Sequence, residues 1–206
     1  MIKVLCGKLK RLIFLLLGFS TAVLLLSGCG KTDYESEFIF GKNRIRCNQS
    51  VITVTTPFEL LAEKTEGVPS DGYISAELLP ADSQKAAAEG HNKNLQILVT
   101  GVQLSDQTNV ESLKKEAQTV LEKNAKVSNL NTEISPIDIG NSTGYRLSFS
   151  FTESSGARRT DLVVNEYIFS DQNTVWRVIY QYRKGDPAGK YLMDKTAGNI
   201  VIGSTF

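Results

Sequence analysis

The chemistry-bearing residues of this 206-residue chain are few, and their spacing decides most questions about them. Gly140-Asn141-Ser142-Thr143-Gly144 spells Gly-x-Ser-x-Gly, the pattern of a nucleophile elbow. An elbow needs a strand before the serine, a helix after it, and a histidine later in the chain. Here a strand pattern follows Ser142, and the one histidine, His91, lies upstream. The segment therefore reads as a tight hairpin turn, and a hydrolase built on Ser142 is the weakest of three functional readings. His91 has only Glu89 close by, too few ligands for a metal site, and reads as a solvated loop residue. Glu59, Glu63, Glu66, Asp71 and Glu77 form an acidic stretch without the spacing of a calcium loop, and read as a solvated face. Cys47 has no visible activating neighbour, so it reads as a strand residue rather than a nucleophile. Arg158-Arg159 falls at an expected hairpin tip. It offers a contact for lipid headgroups or an acidic partner, beside the plainer reading of an exposed hairpin end. No catalytic, cofactor-binding or metal-ligating residue is assigned, and no cofactor is expected.

One cysteine is different. Residues 1–28 contain no Asp or Glu; Lys3, Lys8, Lys10 and Arg11 come first, and the uncharged run Leu12–Leu26 follows. A basic segment, an apolar segment and small residues describe a secretory signal peptide. The apolar run is shorter than the roughly 20 residues that span a bilayer. It ends in Leu26-Ser27-Gly28-Cys29, which resembles the lipobox of bacterial lipoproteins. That resemblance implies signal-peptidase recognition of Leu26, Ser27 and Gly28, diacylglyceryl transfer to the Cys29 thiol, and acylation with chains such as palmitate. Two or three chains anchor stably, at about 0.8 kcal/mol per buried CH₂. The expected place is the cell membrane, lipid-anchored, on its extracytoplasmic side.

Charge and cysteine counts agree with this division. The chain has 23 Lys+Arg against 22 Asp+Glu, and losing the four basic residues of 1–28 leaves 19 against 22, a net −3. No basic excess marks a nucleic-acid binder or a polybasic membrane signal, so the lipid is expected to do the anchoring. Cys6 leaves with the signal and Cys29 takes lipid, so Cys47 has no partner for a disulfide within the mature chain. The domain plan is 1–28 signal peptide, 29–37 lipidated cysteine and tether, and 38–206 folded domain.

The folded part reads as strand-rich. Phe38–Cys47 and Val51–Thr55 flank a turn at Asn48-Gln49-Ser50. Glu59–Ser70 reads as a short helical turn and loop, and Gly72–Leu79 as a strand. Ala81–Asn94 reads as loop or short helix, and Leu95–Leu104 as a central strand. Thr108-Asn109-Val110-Glu111 fits a capping box for a helix whose Val110, Leu113, Ala117, Val120 and Leu121 share a face. A meander follows: Ile134–Ile139, then Tyr145–Thr152 with strict alternation, then Asp161–Phe169 and Thr174–Arg183. Trp176, Val178, Tyr180 and Tyr182 share one face of the last strand, as packing or as a ligand groove. Asp186-Pro187 starts a helix whose apolar side includes Leu192, Met193, Ala197 and Ile200.

This order implies an α+β fold, a central antiparallel sheet flanked by helices. It resembles the PsbP-like family, and within it bacterial lipoproteins of the DcrB type. The resemblance is carried by Val51–Phe58 (VITVTTPF), Ile137–Phe151 (IDIGNSTGYRLSFSF) and Ile200–Phe206 (IVIGSTF). It implies an α/β/α sandwich and non-enzymatic work in assisting assemblies, with no family-wide catalytic residue to carry over. The expected function is a membrane-anchored binding or assembly accessory, not an enzyme, with an envelope protein as partner. The alternative is a lipoprotein that holds a small molecule or a metal.

Overall fold

The structure, a computed structural model, describes residues 34–62 and 85–203. Leu26, Ser27, Gly28 and Cys29 therefore lie outside the described residues, as do Glu63, Glu66, Asp71, Glu77 and the strand expected at Gly72–Leu79. A short helix, α1 (Tyr34–Glu37), precedes the domain. The chain then divides, and Phe38–Phe206 forms one compact unit.

Alternation organises that unit. In β9 (Thr174–Arg183), Trp176, Val178, Tyr180 and Tyr182 are buried on one face, as the sequence pattern requires. Val175 faces the other way, into a second cluster, with Arg177 in phase with it. β9 is the middle strand of a seven-stranded antiparallel sheet in the order β3-β4-β5-β9-β8-β7-β6. Its other members are β3 (Leu61–Ala62), β4 (Lys85–His91), β5 (Gln96–Gln103), β6 (Val127–Ile139), β7 (Ser142–Ser155) and β8 (Arg158–Asp171). A separate three-stranded sheet joins β1 (Gly41–Cys47) and β2 (Ser50–Thr56) to β10 (Ile200–Gly203).

The two sheets share one core. Ile45, Cys47, Ile52 and Val54 from the small sheet pack in one cluster with Trp176, Val178 and Tyr180 from the large one. Leu192 and Met193 of α3 (Pro187–Ala197) join the same cluster. On the opposite face of the large sheet, Leu113 and Ala117 of α2 (Val110–Glu122) pack with Leu147, Phe149, Phe151 and Leu162.

The expected fold class is thereby corrected. The described chain is mostly β, 58% strand in two antiparallel sheets with three short helices, and not a helix-flanked α+β sandwich. The physical reason lies in segments whose local pattern hid a strand. Ile200 reads as the last apolar residue of a helix, yet it opens β10 and stands opposite Val54 of β2. That pairing turns an N-terminal hairpin into an independent sheet, and sheet packs on sheet where a helix layer was expected. Ala81–Asn94 reads as loop or short helix because alanine has low strand propensity. Ala86, Ala87 and Ala88 nevertheless lie in β4, buried on both faces and paired with β5. Within Glu59–Ser70, Leu61–Ala62 is strand, not helical turn. β6 starts seven residues before the expected Ile134, with a register shift between Ser128 and Asn131 and Asn129 at φ 54°. As a largely exposed edge strand it carries no clean alternation to read.

Helix starts are closer to expectation. α2 begins one residue later than the Thr108 capping box, with Asn109 as cap. Ser112 N donates to Asn109 Oδ1 at 2.9 Å, and Asn109 N donates to Ser112 Oγ at 2.9 Å. α3 starts as the Asp-Pro pair requires, with Ala188 N and Gly189 N donating to Asp186 Oδ1 at 3.0 and 3.1 Å.

Candidate functional site

Three hairpin turns meet at one end of the sandwich: Cys47 to Ser50, Ile139 to Ser142, and Asp171 to Thr174. Each places its first loop residue in left-handed backbone, with Asn48 at φ 52°, Gly140 at φ 60° and Gln172 at φ 51°. The turns are tied by polar side chains that start deep in the core. Trp176 is fully buried, and its Nε1 donates to Ser50 Oγ at 2.8 Å. Ser50 Oγ in turn donates to Asp171 Oδ2 at 2.6 Å. Thr174 Oγ1 donates to the Cys47 carbonyl at 3.0 Å. The result is a relay of hydrogen bonds from a buried indole to a half-exposed carboxylate. Beside it lies a pocket of about 330 Å³, lined by Gly140, Asn141, Ser142, Asp171, Gln172 and Ile202.

Ser142 is the first residue of β7, opposite Ile139, so a strand follows it and no elbow forms. His91 is the last residue of β4 and is exposed. The ladders put His91 level with Gln181 through Gln96, whereas Gly144, near Ser142, is level with Trp176 through Phe169. The two side chains are four strands apart and about 20 Å apart along the strand direction. Asp171, the carboxylate beside Ser142, is already engaged by Ser50. Cys47 is fully buried, and burial lifts its thiol to about 11 against a hydrogen bond involving Thr174. Such a thiol is protonated at neutral pH and is not an activated nucleophile. Trp176 is core and not the floor of a groove. A Cβ added at Gly101 would meet its ring at 2.6 Å and Cys47 Cβ at 2.9 Å, so glycine is required for that approach.

Of the acidic stretch after Pro57, Glu59 is described, and it is exposed. Among the described residues no group of three or more His, Cys, Asp or Glu could hold a metal ion. None of the described helices is long and apolar enough to cross a membrane. Arg158 and Arg159 stand where the sequence placed them, exposed at the tip of the β7–β8 hairpin, with Arg158 opposite Ser155.

A second polar constellation escaped the sequence. Glu166 is only 4% exposed in β8, and Arg177 Nε of β9 donates to its Oε1 at 2.6 Å. The same guanidinium reaches Glu116 of α2 at 3.3 Å. Burial pushes the Glu166 carboxyl above the ordinary carboxylate range, against the pull of Arg177. Arg177, Glu116, Lys85, Thr100, Gln103 and Thr108 line an open groove of about 450 Å³ between α2 and the sheet. The available signal was phase. Glu166 alternates with Leu162, Val164 and Ile168, and Arg177 with Val175 and Ile179, so both charges fall on an apolar face.

No family model matches the sequence, and no curated protein matches it. Among solved structures the chain is similar to LpqN of Mycobacterium tuberculosis, described as involved in cell envelope biogenesis. The identity is 13% and the TM-score 0.41, with 82% of this chain and 95% of that chain covered. It is also similar to PA94 of Pseudomonas aeruginosa, a protein of unknown function. That identity is 8% and the TM-score 0.34, with 68% of this chain and 92% of that chain covered. Neither likeness fixes a shared fold or assigns a function. The PsbP-like resemblance has no family match behind it, and the two-sheet architecture departs from it.

Proposed function

We propose that this chain is an envelope lipoprotein, held on the extracytoplasmic side of a membrane by lipid on Cys29, and that its domain is a non-enzymatic binding or assembly accessory. The observation that carries the reading is Leu26-Ser27-Gly28-Cys29 placed directly behind an uncharged, membrane-inserting run. The domain supports it in a second way. The groups best suited to chemistry are engaged in holding the fold: Ser50 and Asp171 with Trp176, Glu166 with Arg177. Cys29→Ala is expected to lose labelling by radioactive palmitate and to accumulate as the uncleaved precursor. Normal processing and continued labelling of that variant would refute the anchor. In-cell crosslinking of the lipidated protein is expected to capture one reproducible envelope protein.

The groove between α2 and the sheet favours a second reading, a lipoprotein that carries a small molecule. Native mass spectrometry of freshly purified protein separates the two, because a copurified mass supports the carrier.

A further inference from the structure

The β7–β8 hairpin outruns its neighbours. Its ladder continues to Ser155 and Arg158, while β9 stops pairing at Leu162 and β6 starts pairing at Glu153. Arg158 therefore stands about 13 Å beyond the end of β9, four residues at roughly 3.3 Å each. Lys126 is level with this tip, because its carbonyl accepts from Ser154 N at 2.9 Å. Arg183 and Lys184 close β9 just below, with Lys184 N bonded to the Asp161 carbonyl. Lys93 stands in the β4–β5 turn of the same end. These five and Arg159, next to Arg158, are exposed, and among the described residues none has an ion-pair partner within 4 Å. The carboxylates at this end are Glu59 and Glu89 beside the close of β4, Glu122 in the last turn of α2, and Glu153, Asp161 and Asp186. Thr152 donates to Asp161, and Asp186 caps α3. The furthest-projecting charges, Lys126, Arg158 and Arg159, are all positive. From the β4–β5 turn to β6 the row is about 24 Å wide, five strand spacings of roughly 4.8 Å.

The chain also enters the domain at this end. Leu60 N donates to Asn43 Oδ1 at 3.0 Å, and Leu61 pairs with Glu89 near the close of β4. The start of β1 thus lies by the end of β4, next to the turn that holds Lys93. Phe38 and Phe40 pack on the core, and Ile39 between them is 91% exposed. A bare isoleucine beside a cationic row is the composition of a surface that meets lipid headgroups. The opposite end has carboxylates in its turns and strand ends, Asp106, Asp138 and Asp171.

We infer that this basic end, with Ile39, is a docking surface for anionic lipid headgroups, and that it lays the domain in one orientation on the membrane holding Cys29. The orienting role rests on the lipid-anchor reading. Nine residues from Cys29 to Phe38 reach at most about 30 Å, so the surface stays within contact of the bilayer. The binding itself does not depend on acylation and is tested without it. The unacylated mature chain, residues 29–206, is sedimented with phosphatidylcholine vesicles that contain or lack one third phosphatidylglycerol. Binding is expected to the phosphatidylglycerol vesicles alone, to weaken with salt, and to fall about tenfold or more in Lys126→Glu/Arg158→Glu/Arg159→Glu. Ile39→Ser is expected to weaken it further, with an unchanged melting temperature confirming that both variants fold. Equal binding to both vesicles, no binding, or full binding by the triple variant would overturn the inference. Loss of a protein crosslink in the triple variant without any vesicle binding would overturn it in favour of an acidic protein partner. Failed acylation of Cys29 leaves the vesicle result standing, so the two failures are distinguishable.

Discussion

The two ends of the sandwich use polar side chains in opposite ways. At the turn end they bind inward: Trp176 to Ser50, Ser50 to Asp171, Thr174 to the Cys47 backbone. At the projecting end Lys126, Arg158, Arg159, Arg183 and Lys184 make no ion pair among the described residues. Polar groups that are buried must be satisfied, because an orphaned donor costs its full desolvation penalty. Exposed charges carry no such obligation, and surface changes are usually near-neutral for stability. Residues of the first end are therefore constrained by folding, and those of the second are available to a partner. A sum over many residues hides this: the net charge of −3 over residues 29–206 gives no hint of a cationic row at one end.

The contrast can be broken at its strong end first. Ser50→Ala removes the acceptor that the Trp176 indole has among the described residues and takes a donor from Asp171. We expect about 2 kcal/mol of lost stability by urea denaturation; an unchanged midpoint would mean the relay is ornamental. A smaller effect, about 1 kcal/mol, is expected for Asp186→Ala, which strips the α3 cap at the projecting end. The Asp186 carboxyl is desolvated, but hydrogen bonds from Asn94, Gly189 and Ala188 outweigh this and hold it below the ordinary aspartate value. Its contribution is then fully present above the unfolded-chain value near 4 and is lost as pH falls through the lowered folded value. The difference between wild type and Asp186→Ala should shrink on acidification and not on alkalinisation. The smallest effect sharpens the comparison: Arg158→Ala/Arg159→Ala should change stability by under about 0.5 kcal/mol. A larger loss would make the hairpin tip structural and remove the distinction between the ends.

What the sequence disclosed follows the range of the interactions involved. Alternation in Tyr145–Thr152 and Thr174–Arg183 is local, and β7 and β9 lie where that pattern puts them. The Asp186-Pro187 start and the exposed hairpin tip at Arg158-Arg159 are local as well. Trp176 shares a buried face with Val178, Tyr180 and Tyr182, as the phase of β9 requires. Features set by distant partners were hidden. Ser50 and Asp171 are 121 residues apart in sequence, and nothing near either one announces the bond. β10 is four residues long and is a strand because β2 is there to pair with it. The three alanines of β4 are strand because β5 pairs with all of them and β3 with Ala88 on the other side. These segments are where the molecule departs from an α+β fold: local propensity marks the helices, while the second sheet is set by contacts across the length of the domain.

That second sheet also sets an order of events. β2 lies near the start of the domain and receives β10 from its far end, with Val51 opposite Gly203. Pairings of such separation close slowly, since the loop entropy is lost before the contacts form. In a chain that emerges N-terminus first, β2 therefore waits with one edge bare until residue 203 has been made. A bare edge is a template for another strand. Once β10 pairs, the edge passes from the seven residues of β2 to a strand of four, which is a much poorer template.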